Sequence, residues 1–173
     1  TVVFQDTVNS DGTTRSLTVT TAIDRDITFS GAVGTTAALS ELTVTNGDVV
    51  TLQAVDTNGA NGVRIGSAAA VTQIILNGNL DSTDGDAAAN GGIINLNSAN
   101  IDLTTTVTLD SDDDAGTDGA ITIGNAAGNA LDANAAGTEG LNIRAGGGTL
   151  TVNSDMGNTT ALGAIDVDAT GTV

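Results

Sequence analysis

The amino-acid sequence predicts an all-β fold, a right-handed parallel β-helix (β-solenoid) of roughly six to seven coils. Three observations predict it. The core vocabulary almost lacks large side chains, apolar pairs alternate with polar residues from end to end, and the chain resembles itself at two spacings.

The first observation is compositional. Among 173 residues there are two Phe and no Tyr, Trp, Cys, His or Pro, and the four basic residues are all Arg (Arg15, Arg25, Arg64, Arg144). A compact domain of this length fills its centre with large apolar groups, which carry most of the burial energy. Val, Ile, Leu and Ala alone make a thin core, and a thin core suits a stack in which each layer contacts only its neighbours. A net charge of −17 would suit a disordered chain, yet 39% of residues are apolar. Many of these are β-branched and alternate with polar residues, a pattern that disordered chains lack.

The second observation is that alternation. Apolar pairs occur at Leu17/Val19, Ile27/Phe29, Leu42/Val44, Val50/Leu52, Val63/Ile65, Ile74/Leu76 and Ile94/Leu96. They continue at Ile101/Leu103, Val107/Leu109, Ile121/Ile123, Leu141/Ile143, Leu150/Val152 and Ile165/Val167. Except at Ile75, the residue between the two is polar, so each strand has one buried and one wet face. Turn signals separate them at Asn46-Gly47, Asn58-Gly59, Asn61-Gly62, Asn77-Gly78, Asn90-Gly91, Asp118-Gly119 and Gly146–Gly148. No segment carries a helical stripe, and Gly124–Gly128, Ala-rich but broken by Gly, reads as a loop.

Repetition is the third. Ile74/Leu76 recurs 27 residues later as Ile101/Leu103, and Ile94/Leu96 as Ile121/Ile123, a reasonable length for one coil. A longer match aligns Ile27–Val44 with Leu150–Val167 without gaps, 123 residues apart. One extra residue carries it back to Thr14 and Thr138, so 14–44 matches 138–167. Residues 1–173 therefore read as a single solenoid segment that begins within one unit and ends within the next, without polar caps.

The phrases Gly140–Val167 and Asn90–Leu103 resemble the recurring units of giant repetitive bacterial surface proteins, of the filamentous haemagglutinin and autotransporter-passenger type. That resemblance implies a parallel β-helix, export to the cell surface, and an adhesive or filament-forming role. It carries over no catalytic residue.

Several classes of function are disfavoured. No run approaches the roughly 20 apolar residues of a membrane helix, and the acidic balance opposes binding to nucleic acid. Absence of Cys removes thiol chemistry and Cys-based metal sites. The expected partners are copies of the chain or adjoining repeats end to end, with cell-surface or matrix glycans as a second class, outside the cell.

The residues with most chemical potential are Asp110, Asp112, Asp113, Asp114 and Asp118, and a second group, Asp81, Asp84 and Asp86. Ca²⁺ takes six to eight oxygens from carboxylates and carbonyls, and either loop offers several. The second lacks the closing Glu and flanking helices of an EF-hand, and the glycine-rich nonapeptide of calcium-dependent β-rolls is absent. Solvated coil corners are the alternative reading, since Asp favours turns and keeps sheet edges soluble. Paired carboxylates also serve β-helix polysaccharide-degrading enzymes. Without Trp, Tyr, His or Lys, the sequence offers neither sugar platform nor cationic partner, and it reads as non-enzymatic. Threonine runs at Thr18–Thr21 and Thr104–Thr108 fit ordinary strand surface, and Asn158-Thr159-Thr160 matches a glycosylation acceptor that chance alone would supply.

Overall fold

The computed structural model describes residues 1–13, 15–83, 91–113 and 116–173. In chain order the strands are β1 (Val2–Phe4), β2 (Ser16–Val19), β3 (Ile27–Phe29), β4 (Leu39–Val44), β5 (Val49–Leu52) and β6 (Val55–Ile65). Next come β7 (Val71–Leu76), β8 (Leu80–Asp81), β9 (Ile94–Leu96), β10 (Ser98–Leu103), β11 (Val107–Asp110) and β12 (Ile121–Ile123). The last are β13 (Asn129–Ala133), β14 (Leu141–Gly146), β15 (Leu150–Val152), β16 (Ser154–Met156) and β17 (Ile165–Ala169).

All pairings between these strands are parallel, and the described residues contain no helix. The chain is a β-solenoid of about 6 stacked turns. Each turn visits three faces in the same order. Face one stacks β1, β3, β5, β7, β10, β13 and β16. Face two begins with the bridged residues Val8 and Val33 and continues through β6, β8, β11, β14 and β17. Face three stacks β2, β4, β6, β9, β12 and β15. At about 4.8 Å per strand the stack is roughly 29 Å tall.

Period-two alternation dictates this packing, because every second side chain points to the axis. Face one contributes the buried row Ile27, Val50, Ile74, Ile101 and Leu131, and face three contributes Leu42, Val63, Ile94, Ile121 and Leu150. Face two adds Val33, Val55, Leu80, Leu109 and Ile143. The two phenylalanines occupy neighbouring turns, and Phe4 and Phe29 stack with ring centroids 4.5 Å apart. The outer row of face three reads Thr18, Thr43, Arg64, Asn95, Thr122, Thr151, so no unbroken threonine face exists there.

One expectation from turn chemistry is corrected. Asn58-Gly59 and Asn61-Gly62 do not separate strands; the 11-residue β6 runs through both. It pairs with β8 on face two at Val55 and with β9 on face three at Val63, so it bends around the corner. The glycines permit this by close approach: a Cβ on Gly59 would lie 2.4 Å from the carbonyl oxygen of Ser40. The same corner carries a glycine column above it. A Cβ on Gly92 would fall 2.3 Å from Gly59 O, on Gly119 2.1 Å from Gly92 O, and on Gly148 2.1 Å from Gly119 O. Each glycine is needed because the turn beneath leaves no room for a side chain.

The two repeat spacings have different structural meanings. Ile74 pairs with Ile101 and Ile94 with Ile121, so 27 residues is one turn. The 123-residue match instead relates different faces: Ile27 lies on face one and Leu150 on face three. What it preserves is a corner. Gly34 and Gly157 both adopt positive φ, 78° and 66°, and donate to Val8 O (2.7 Å) and Leu131 O (2.8 Å). Thr36 N–H donates to Asn9 Oδ1 (3.1 Å), and Thr159 N–H to Asp132 Oδ1 (3.0 Å). The matched segments thus build one corner design twice, displaced by one face around the axis.

Replacing Gly119 by Ala drives a methyl into backbone and is expected to cost about 1–3 kcal/mol, typical of overpacking. For a chain of this size that lowers Tm by roughly 3–10 °C. Thr122→Ala, on the outer row, should stay within about 0.5 kcal/mol. Thermal denaturation followed by circular dichroism distinguishes the two.

Candidate functional site

A local tripeptide recurs on face two: apolar, aspartate, small hydroxyl. It appears as Val55-Asp56-Thr57, Leu80-Asp81-Ser82 and Leu109-Asp110-Ser111, and changes to Ile143-Arg144-Ala145 and Val167-Asp168-Ala169. Strand alternation sends the third residue inward, and Thr57, Ser82 and Ser111 are fully buried. Their hydroxyls are satisfied there: Thr57 Oγ1 donates to Ser82 Oγ at 3.2 Å, and Ser111 Oγ to Gly119 O at 2.9 Å.

The middle residue faces out, and parallel register stacks like on like. Asp56 pairs with Asp81, Asp81 with Asp110, Asp110 with Arg144, and Arg144 with Asp168. Three carboxylates therefore stand one above another before a guanidinium interrupts the column. Burial raises the pKa of Asp56, and the Asp81 charge adds to it. Burial likewise raises Asp110; the Asp112 backbone N–H and Arg144 pull it down, while Asp81 and Asp112 push it up. The ion pair of Arg144 Nη1 with Asp110 Oδ2 is 3.7 Å long and its guanidinium is exposed, so screening leaves it weak.

Next to the column, Asp112, Asp113, Asp118, Gly146, Gly147 and Asp168 line an open cleft of about 490 Å³. Asp118 is its organiser. Its Oδ1 accepts the Asp113 N–H at 2.9 Å, and its Oδ2 accepts the Gly147 N–H from the next turn. A Cβ on Gly146 would lie 2.4 Å from Asp112 Oδ1, so glycine is what lets the carboxylates sit against the neighbouring backbone.

The acidic residues singled out from sequence thus divide. Asp112, Asp113 and Asp118 come together in the cleft, whereas Asp81 and Asp110 belong to the column. Asp81 Oδ1 accepts from Thr83 N–H (3.0 Å) and Thr83 Oγ1 (2.8 Å), a local turn. Asp84, Asp86 and Asp114 lie outside the described residues, as do Thr14 and Asn90. Among the described residues no group of three or more acidic side chains has an arrangement that would hold a metal ion. Sequence reasoning missed Asp56, Arg144 and Asp168; the recurring apolar-Asp-Ser/Thr tripeptide was the available signal. No helix among the described residues is long and apolar enough to cross a membrane. No protein-family model, curated protein or solved structure matches the chain.

The raised carboxyls give a pH dependence with a definite sign. Asp56 and Asp110 bind their protons more tightly folded than unfolded, so acidification through their raised pKa values favours the folded state. That gain is complete below the ordinary aspartate range and is lost as pH rises toward neutrality. Asp11 and Glu139 act oppositely and lower down. The Arg15 side chain and the Thr138 hydroxyl, respectively, are the main causes that hold them low, and their stability is lost only below the ordinary range. Melting temperature should therefore rise on acidification from pH 7 toward the ordinary aspartate range. Asp110→Asn should flatten that rise and melt higher than the parent at pH 7.

Proposed function

We propose that this chain is a length of structural rod from an extracellular, cell-surface protein, resembling the filamentous haemagglutinin and autotransporter-passenger type. Continuity carries the reading. Three parallel ladders and their apolar rows run through every turn, an arrangement suited to transmitting length and stiffness. The lack of His, Cys, Lys, Tyr and Trp supports a non-catalytic role, because general acid–base work would fall to carboxylates alone. Its partners are adjoining repeats or copies that prolong the stack. The charge of −17 keeps such rods apart and soluble outside the cell.

Two subsidiary readings belong to the acidic cleft. Calcium is one: a hard cation takes oxygens from carbonyls as well as carboxylates, and the cleft offers both, although its described carboxylates form no ready three-ligand site. Carbohydrate is the other, since an open polar cleft of about 490 Å³ offers acceptors for sugar hydroxyls.

Single-molecule pulling tests the rod: unfolding in steps, turn by turn, is expected, and substrate turnover or unfolding in one step would overturn it. EDTA should lower Tm measurably, and an unchanged transition removes the calcium. A glycan-array signal lost in Asp118→Asn would shift the role toward adhesion.

A further inference from the structure

Five Asn-Gly dipeptides punctuate the chain, at Asn46-Gly47, Asn58-Gly59, Asn61-Gly62, Asn77-Gly78 and Asn90-Gly91. Such a pair carries its own chemistry. Asparagine is among the thermolabile side chains, and a glycine after it, lacking a Cβ, leaves room for the glycine nitrogen to attack the amide carbon. Three conditions decide whether a folded chain allows this. The glycine N–H must be unbonded and reached by water, the amide nitrogen must be free to leave, and the peptide must lie outside a strand ladder.

The structure sorts the pairs by these conditions. Asn58-Gly59 and Asn61-Gly62 lie within β6; the Asn58 amide oxygen is buried, and Asn61 Nδ2 donates to Glu41 Oε2 at 3.2 Å. Gly91 N–H donates to Thr117 O at 2.9 Å, and Asn90 lies outside the described residues. Gly47 is buried, which screens its N–H from hydroxide. Asn77 and Gly78 are only half-buried and belong to the connector between β7 and β8. Among the described residues, neither Gly78 N–H nor Asn77 Nδ2 has an acceptor. The next turn adds an activating group. Thr104 Oγ1, 27 residues on, donates to Asn77 Oδ1 and shares its proton with Leu76 O at 3.2 Å. A donor at Oδ1 makes the amide carbon more electrophilic and stabilises the oxyanion formed as the nitrogen adds.

We propose that Asn77-Gly78 is a site of self-modification, where the chain turns an amide into a carboxylate with water as the only co-reactant. Gly78 N gives its proton to hydroxide and bonds to Asn77 Cγ. The Cγ–Nδ2 bond then breaks, and Nδ2 leaves as ammonia with a proton from water. Water opens the resulting succinimide at either carbonyl, leaving aspartate or isoaspartate at position 77. Aspartate keeps the connector and the Thr104 contact and adds a negative charge to a chain already at −17. Isoaspartate routes the backbone through the side chain and lengthens a connector tied at both ends. Asn77 N–H donates to Leu52 O at 2.8 Å, Asn79 O accepts Val55 N–H at 2.9 Å, and Leu80 beyond it is fully buried. That product therefore loosens one turn from the next at a fixed point, whatever the chain's role.

Incubation of the chain at mildly alkaline pH, followed by peptide mapping with mass spectrometry, tests the site. Asn77 should convert several-fold faster than Asn46, Asn58 or Asn61, through a succinimide and with release of ammonia, and the isoaspartate fraction should melt lower. In urea the rates at these asparagines should converge, because the fold is what separates them. Thr104→Val, at an exposed position, should fold like the parent and slow Asn77 several-fold. Asn77 lagging behind any of the other three, or keeping its lead in urea, overturns the proposal. An unchanged Asn77 rate in folded Thr104→Val overturns the activating role of that hydroxyl.

Discussion

The spacing of the parallel backbone ladder is the constraint on which everything else in this molecule depends. Successive turns lie about 4.8 Å apart, and each position must tolerate its equivalent one turn away at that distance. Apolar residues tolerate it well, since Ile on Ile or Leu on Leu completes the packing of both. The thin centre follows from the same spacing. Phe is confined to two adjacent turns, where its rings lie parallel, and the remaining rows use Val, Ile and Leu.

Glycine and the small hydroxyl residues fall at the points where the spacing is least forgiving. At the corner between faces two and three, the backbone approaches the turn beneath so closely that a single methyl would overlap a carbonyl oxygen. Thr57, Ser82 and Ser111 line the inside of that corner, where a larger apolar group has no room and a hydroxyl finds a partner. The corner takes only small side chains because it is narrow, hydroxyls in these three turns and Ala145 in the next.

Charge is where the ladder works against the molecule. Register places Asp56, Asp81 and Asp110 in one column, and partial burial adds to their mutual repulsion. Arg144 ends the run, and the neighbouring carboxylate of Asp118 is satisfied by backbone N–H groups from two turns. The acidic surface is thus a built part of the stack, ordered by hydrogen bonds that cross between turns.

Much of the fold was legible in the sequence. The thirteen alternating apolar pairs all lie on strands, and the 27-residue spacing is one turn, because burial on one side of a strand needs a period of two. Short strands such as Leu80–Asp81 and Ser154–Met156 left too little pattern to read. Asn-Gly pairs inside β6 misled because a bend within a strand uses the same residues as a turn between strands. The candidate site was legible only in part. Local clustering pointed to Asp112, Asp113 and Asp118, but the column through Asp56, Asp81, Asp110 and Arg144 joins residues 25 to 34 positions apart. Alternation and composition determine that this chain stacks as a solenoid. Turn lengths vary with each loop, so only the tertiary structure decides which residues become neighbours along the axis.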